Sequence, residues 1–211
     1  MRRTQTERSA ATQQTLLAAA RQLWGARGYA AVSTPEIARA AGVTRGAMYH
    51  QYADKTTLFL AVLEAVETDV LERLTAAVAA ARPSSPAAAL HIAADAWLEI
   101  AGEGEVRQLV LLDAPSVLGW AGFREISHRY GLGTTEQLLS AAIQSSELPE
   151  QPTRPLATIL IGALDEAAMS IANARHPAQE KAAIRTVIHN LLDGLLLAPA
   201  ASSDAIPPGR P

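Results

Sequence analysis

Two helix starts and a helix stop fall within the single stretch STPEIARAAGVTRGAMYHQYADKTTLF, and no other feature of the chain restricts its fold more. Thr34 as N-cap, Pro35 at the first helical position and Glu36 near the positive end of the dipole open one helix, which Gly42 ends. Thr44 opens a second helix, and Asp54 caps a third that continues through LFLAVLEAVETDVLERLTAAVAAA. The first two are too short to persist in water without tertiary support. Joined through Ala41, Gly42 and Val43, they have the dimensions of a helix-turn-helix, with the longer helix ahead of them supplying its core.

That longer helix is predicted over about Thr6 to Ala26, where Leu16, Ala20, Leu23 and Trp24 form one apolar stripe before Gly28. Beyond RPSSP at 82–86, segments beginning PAAAL, EVRQL, AGFRE, RPLAT and PAQEK all read as helical between Gly or Pro punctuation. Alanine and leucine dominate, and no stretch alternates apolar and polar residues over strand length. The expected fold is all-α. An N-terminal three-helix helix-turn-helix head occupies 1–55, a six-helix ligand-binding and dimerisation domain 56–198, and a disordered tail 199–211.

Charge divides the chain. Residues 1–55 carry eight Lys or Arg against three acids, whereas the remainder carries ten against eighteen, for a net charge of −3. A basic head on an acidic body is suited to meeting a polyanion. The absence of cysteine excludes a disulfide framework and thiolate metal ligation, and fits a reducing cytoplasm. The start lacks the apolar region of a signal peptide, and the run LATILIGAL is too short to span a bilayer, so no membrane association is expected.

With TRGAMYHQY wound as a helix, Met48 and Tyr52 form the only large apolar face, an i, i+4 pair aimed at Leu23 and Trp24. Gly46 and His50 then point outward, with Arg45, Tyr49 and Gln51 on the flanks and Lys55 just beyond. Against DNA each has a use. Gly46 lets the backbone approach closely, Arg45 suits a bidentate guanine contact, and Tyr49 and His50 reach phosphates or thymine methyls. Lys55 and the N-terminus at Thr34 suit phosphates.

The segment GYAAVSTPEIARAAGVTRGAMYHQYADKTTLF resembles the helix-turn-helix of TetR-type transcriptional repressors. Gly28, Tyr29, Thr34, Ile37, Ala38, Ala41, Gly42, Val43, Gly46, Tyr49, Tyr52, Lys55 and Leu58 stand in register with the family pattern, over roughly residues 10–62. The segment LVLLDAPSVLGW also resembles part of some members' ligand domains. The resemblance implies an Ω-shaped homodimer that binds operator DNA and is released by a small-molecule effector held in the body. By position it implies DNA contacts at Thr34, Thr44, Arg45, Gly46, Ala47, Tyr49, His50 and Lys55. The family often has His where this chain has Gln51, and Phe where it has Tyr52.

Two-fold symmetry would place the recognition helices in successive major grooves about 34–36 Å apart on a palindromic or near-palindromic operator. The last two helices, about 154–174 and 177–197, carry apolar stripes wider than one neighbour covers, as expected of a homodimer joined by a four-helix bundle. Two central helices of a monomeric bundle would give the same pattern. For the effector pocket the middle helices offer Trp97, Leu109, Leu112, Trp120 and Phe123, with Asp113 before Ala114–Pro115 as the leading polar candidate. Each also suits plain core packing.

An enzyme finds no support. GLGTTE lacks the third glycine of a dinucleotide loop, the histidines outside the head lack ligand spacing, and no nucleophile triad can be assembled. No catalytic residue, metal or cofactor is implied. A helical protein-interaction module without specific DNA binding is the alternative.

Overall fold

The computed structural model describes residues 5–196, and within them the chain is helical throughout with no strand. The expected tail at 199–211 lies outside the described residues. Helix α1 (Gln5–Arg27) leads to the short pair α2 (Thr34–Ala40) and α3 (Arg45–Gln51), and α4 (Lys55–Ala81) runs from this head into the body. The body continues with α5 (Pro86–Ala101), the single turn α6 (Gly104–Val106), a π-helical stretch over Arg107–Asp113, α7 (Ala114–Gln144), α8 (Thr153–Asn173) and α9 (Pro177–Leu196).

The caps explain where these helices begin. Thr44 Oγ1 accepts from the Ala47 amide at 3.1 Å, Asp54 Oδ1 from Thr57 at 2.7 Å, and Ser85 Oγ from Ala88 at 3.2 Å. The predicted cap at Thr34 is displaced by one residue: Ser33 holds the N-cap position without a side-chain bond, and Thr34 is the first helical residue. Gly42 turns the chain from α2 toward α3 at φ +69°, a conformation most side chains resist.

The sequence predicts a helix end near Trp120; instead the backbone departs from helical geometry at Gly119 (φ 69°, ψ 169°) within α7. Proline supplies no amide, so Pro115 leaves the carbonyl four residues earlier, at Leu111, without its usual donor. The chain adapts by widening rather than breaking, and the Ala114 amide reaches back five residues to the Leu109 carbonyl.

Head and body share one continuous core. Leu16, Trp24, Ile37, Met48 and Tyr52 of the head join Phe59, Val62, Leu109, Val110 and Phe123 in a single buried cluster. Its centre is a ring of aromatics, with Trp24, Tyr29 and Phe59 centroids 5.1–5.6 Å apart. A second cluster, from Leu90 to Ile161, closes the far end between α5, α7 and α8. Helix α8 has the length and apolarity of a membrane span, with a mean hydropathy of 1.4, yet it carries a buried, ion-paired Asp165. Its apolarity serves two faces: Ala157, Ala168 and Ile171 point into the core, while Ile159 is 66% exposed.

A core continuous across head and body should unfold as one unit. Phe59→Ala is expected to cost about 3–5 kcal/mol and to shift helical and tryptophan signals together in denaturant. A separate head transition in either protein would contradict the shared core.

Candidate functional site

On α3, Met48 is fully buried and Tyr52 nearly so, the anchoring face expected from the i, i+4 spacing. Thr44, Arg45, Gly46, Tyr49 and His50 are exposed, and Ala47 is half-buried between them. A Cβ built on Gly46 would meet nothing nearer than Thr44 Oγ1 at 4.0 Å, so the glycine leaves an open notch in the outer face. Thr34 is buried rather than free at the surface; its hydroxyl lies 3.2 Å from the Tyr49 hydroxyl. The Arg45 guanidinium sits 5.5 Å from the centre of the Tyr49 ring. Hydrogen bonds from Thr34 and then Arg45 hold the Tyr49 phenol below its ordinary range. Thr34, Tyr49 and Arg45 thus form one array across both short helices.

Gln51 faces inward. Its amide donates to Ser9 Oγ at 2.9 Å, tying the end of α3 to α1. The Tyr52 hydroxyl is buried beside Gln13 without a hydrogen bond of normal geometry, and burial raises its phenol above the usual range. Lys55 is half-buried: its ammonium donates to the Tyr29 carbonyl at 2.6 Å and lies 4.0 Å from that ring's centre. Burial lowers its pKa, opposed by the charge of Asp113.

Asp113 belongs to this junction and not to a ligand cavity. Its Oδ2 accepts the Tyr29 amide at 2.8 Å, and its Oδ1 accepts from the Gln108 amide at 3.1 Å. Gly28 makes the approach possible, with φ +81° and the Gln108 amide nitrogen 2.9 Å from where a Cβ would stand. Nearby, Arg21 on α1 grips Glu105 through two bonds of 2.9 and 2.8 Å and also pairs with Asp69 on α4.

A cavity lies deeper, between α4, α5, α7, α8 and α9, with a volume of about 150 Å³. Of the residues expected from sequence, only Trp97 lines it. Leu109 and Phe123 are fully buried in the core, and Leu112 lies half-buried on the π-helical stretch. Trp120 is 60% exposed, because the turn at Gly119 swings it outward beside Arg124.

The acidic residues of the cavity are Glu67 and Asp165, neither of which the sequence reading selected. Both are buried, and Arg124 donates to Asp165 at 3.1 Å. Glu67 forms no hydrogen bond or ion pair among the described residues. Burial, reinforced by the charge of Asp165, pushes its carboxyl up to about 7. Burial likewise raises Asp165, to about 6, against the opposing pull of Arg124. A signal was available: Glu67 interrupts the apolar stripe of Leu63, Val66 and Val70, and Asp165 interrupts that of Ile161 and Ala168.

A helix-turn-helix with an exposed basic face, seated on a helical body that encloses an apolar cavity, defines a DNA-binding transcriptional regulator. Residues 16–62 match the family described as bacterial regulatory proteins, tetR family, and residues 87–195 match the tetracyclin repressor-like C-terminal domain. A TetR-family transcriptional regulator from Pectobacterium atrosepticum is 34% identical and superposes with a TM-score of 0.81, covering 93% of this chain and all of that one. The Transposon Tn10 TetC protein of Escherichia coli is 27% identical over 84% of this chain and 88% of its own. The transcriptional regulator CymR of Pseudomonas putida is 40% identical over 39% of this chain, a match that spans 40% of CymR. The chain belongs to the TetR family of transcriptional regulators and is not an enzyme.

Glu67 makes stability depend on pH. Its folded-state pKa of about 7 lies above the unfolded value, so the folded form binds the extra proton and loses stability as pH rises from about 4.5 to 7. Glu67→Gln is therefore expected to stabilise the fold at pH 8 by on the order of a few kcal/mol, seen as a higher melting temperature, with a much smaller gain at pH 5. Equal melting temperatures for the two proteins at pH 8 would refute the assignment.

Proposed function

We propose that the protein is a ligand-responsive repressor of the cytoplasm that binds a palindromic or near-palindromic operator as a homodimer and is released by a small molecule in the cavity. The observation that carries this reading is the outer face of α3. A basic, hydrogen-bonding surface with an open notch at Gly46 is held to the core by Met48 and Tyr52 on its buried side. Arg45 is the base-reading candidate; Thr44, Gly46, Ala47, Tyr49 and His50 approach the same groove. Thr34 acts through Tyr49, and Lys55 retains two N–H donors for a phosphate beyond its bond to Tyr29. Such a surface favours DNA over the alternative of a protein-interaction module.

Homodimerisation is supported by Ile159, Val187 and Leu191, large apolar side chains 66, 55 and 54% exposed on α8 and α9. Two such helices from each subunit would close a four-helix bundle. Release requires that the effector prefer a body conformation in which the head spacing is wrong for DNA. The route for that preference is α4, which lends Glu67 and Val70 to the cavity and Phe59 to the head core, together with the grip of Asp113 on Tyr29.

Light scattering after size exclusion should give a dimer at micromolar concentration, and Leu191→Asp should shift it toward monomer; a wild-type monomer would overturn the dimer. Binding to the DNA upstream of its own gene should weaken on the order of a thousandfold or more between 50 and 200 mM salt; salt-insensitive binding, or none, would end the repressor reading. Arg45→Ala should relax preference at one operator position, about 1–3 kcal/mol, whereas Lys55→Ala should weaken all sequences evenly.

A further inference from the structure

The cavity is chemically lopsided. Its walls are almost wholly apolar, with Leu71, Leu164 and Trp97 prominent, and two buried carboxyl groups face into it. Only one has a cation. The Arg124 guanidinium bonds Asp165 at 3.1 Å, the His128 ring at 2.9 Å and the Thr158 carbonyl at 3.3 Å, and this leaves it committed away from Glu67. Glu67 is 6% exposed and has no partner.

Nothing else around the cavity can supply the missing charge. On α4 itself the other lining residues, Val70, Leu71 and Leu74, are apolar. From α5 comes Trp97, whose indole N–H is spent on the Leu164 carbonyl at 3.1 Å. From α7 come Ser127, Tyr130 and Thr135, with the Thr135 hydroxyl donating to the Gly131 carbonyl, and from α8 comes Asp165. The pKa of His128, behind Asp165, is lowered by burial and by the charge of Arg124, so it is a poor source of positive charge. Helix α9 contributes Ile188, Leu191 and Leu192. The cavity therefore offers acceptors and negative charge, with few free donors, which disfavours a carboxylate or phosphate ligand.

We propose that the cavity takes a compact lipophilic amine in its ammonium form, with the Glu67 carboxylate as counter-ion and the apolar part against Trp97 and Leu164. The volume fits a ligand about the size of one aromatic ring, since an apolar cavity of about 150 Å³ accommodates benzene. An ammonium removes the penalty of an unpaired buried carboxylate and adds a charge-assisted hydrogen bond within apolar walls. Binding a cation favours the ionised carboxyl, so it should expel a proton wherever Glu67 is protonated in the free protein. This assignment of ligand class deepens the effector reading above, and only its DNA-release arm rests on that reading.

The test is calorimetric titration of the full chain with benzylamine, its neutral isostere benzyl alcohol, and benzoate. Benzylamine is expected to bind at least tenfold more tightly than benzyl alcohol, with benzoate weakest. From pH 6 to pH 8 its affinity should rise about tenfold, following ionisation of a group near 7. Heats measured at pH 6.5 in two buffers of different ionisation enthalpy should reveal the released proton. In Glu67→Gln the preference for the amine and the pH dependence should both vanish while benzyl alcohol still binds, which also separates Glu67 from Asp165. The wild-type pH profile and proton release stand without the variant. No preference for the amine over the alcohol in wild type, including failure of all three to bind, overturns the proposal, as does a preference that survives Glu67→Gln. Benzylamine binding that leaves operator DNA in place supports the ligand class and counts against the effector mechanism. Release of DNA by benzoate or benzyl alcohol at lower concentration than benzylamine upholds the mechanism and overturns the ligand class.

Discussion

The backbone of Tyr29 is held on both sides, its N–H by Asp113 of the body and its C=O by Lys55 at the head of α4. The other features of the head depend on this grip. Tyr29 stacks against Trp24 and Phe59, Trp24 belongs to the core that receives Met48, and Met48 holds the reading helix in place. The carboxylate and the half-buried ammonium flank one residue, and the charge of Asp113 opposes the loss of the Lys55 proton. The body thus fixes the orientation of the head through charge-assisted hydrogen bonds, with Arg21 to Glu105 and Asp69 as a second set.

Midway along α4 the same physics is left unresolved. Glu67 bears the full cost of desolvation without a partner, as active and binding sites commonly do and core positions rarely do. One rigid helix therefore joins a position where charge is satisfied to one where it is not. A cation at the second, as proposed above, would relieve that cost a few turns from the head.

The head was legible in the sequence because its signals are local. Caps at Thr44 and Asp54, the turn at Gly42, and the Met48–Tyr52 pair each depend on spacing within a few residues. Thr34 was misread by one position because Ser33 is an equally good cap, and burial of its hydroxyl against Tyr49 depends on how α2 and α3 cross. The cavity was not legible in the same way. Large apolar residues such as Phe123 and Leu109 fill a core as readily as they line a pocket, and only packing separates the two. Asp113 was singled out as the leading polar candidate for the pocket, but its partner Tyr29 lies 84 positions away in the chain. The more telling sign was a carboxylate within an apolar stripe, at Glu67 and again at Asp165, because burial of such a group demands a reason.

The wide turn at Arg107–Asp113 acts as a phase adjuster for the body. A π-helical turn holds one residue more than an α-turn. The insertion therefore rotates everything on one side of it, relative to the other, by about 100°. With that extra residue, Gln108 and Asp113 present their side chains to each other and to the Gly28–Tyr29 turn. A chain of otherwise identical composition, one residue shorter here, would keep its helix and lose its aim: the carboxylate would sweep away from the Tyr29 amide. Pro115, which makes the wide turn necessary, thereby sets the angular registration between the part of the molecule that encloses a ligand and the part that faces the double helix.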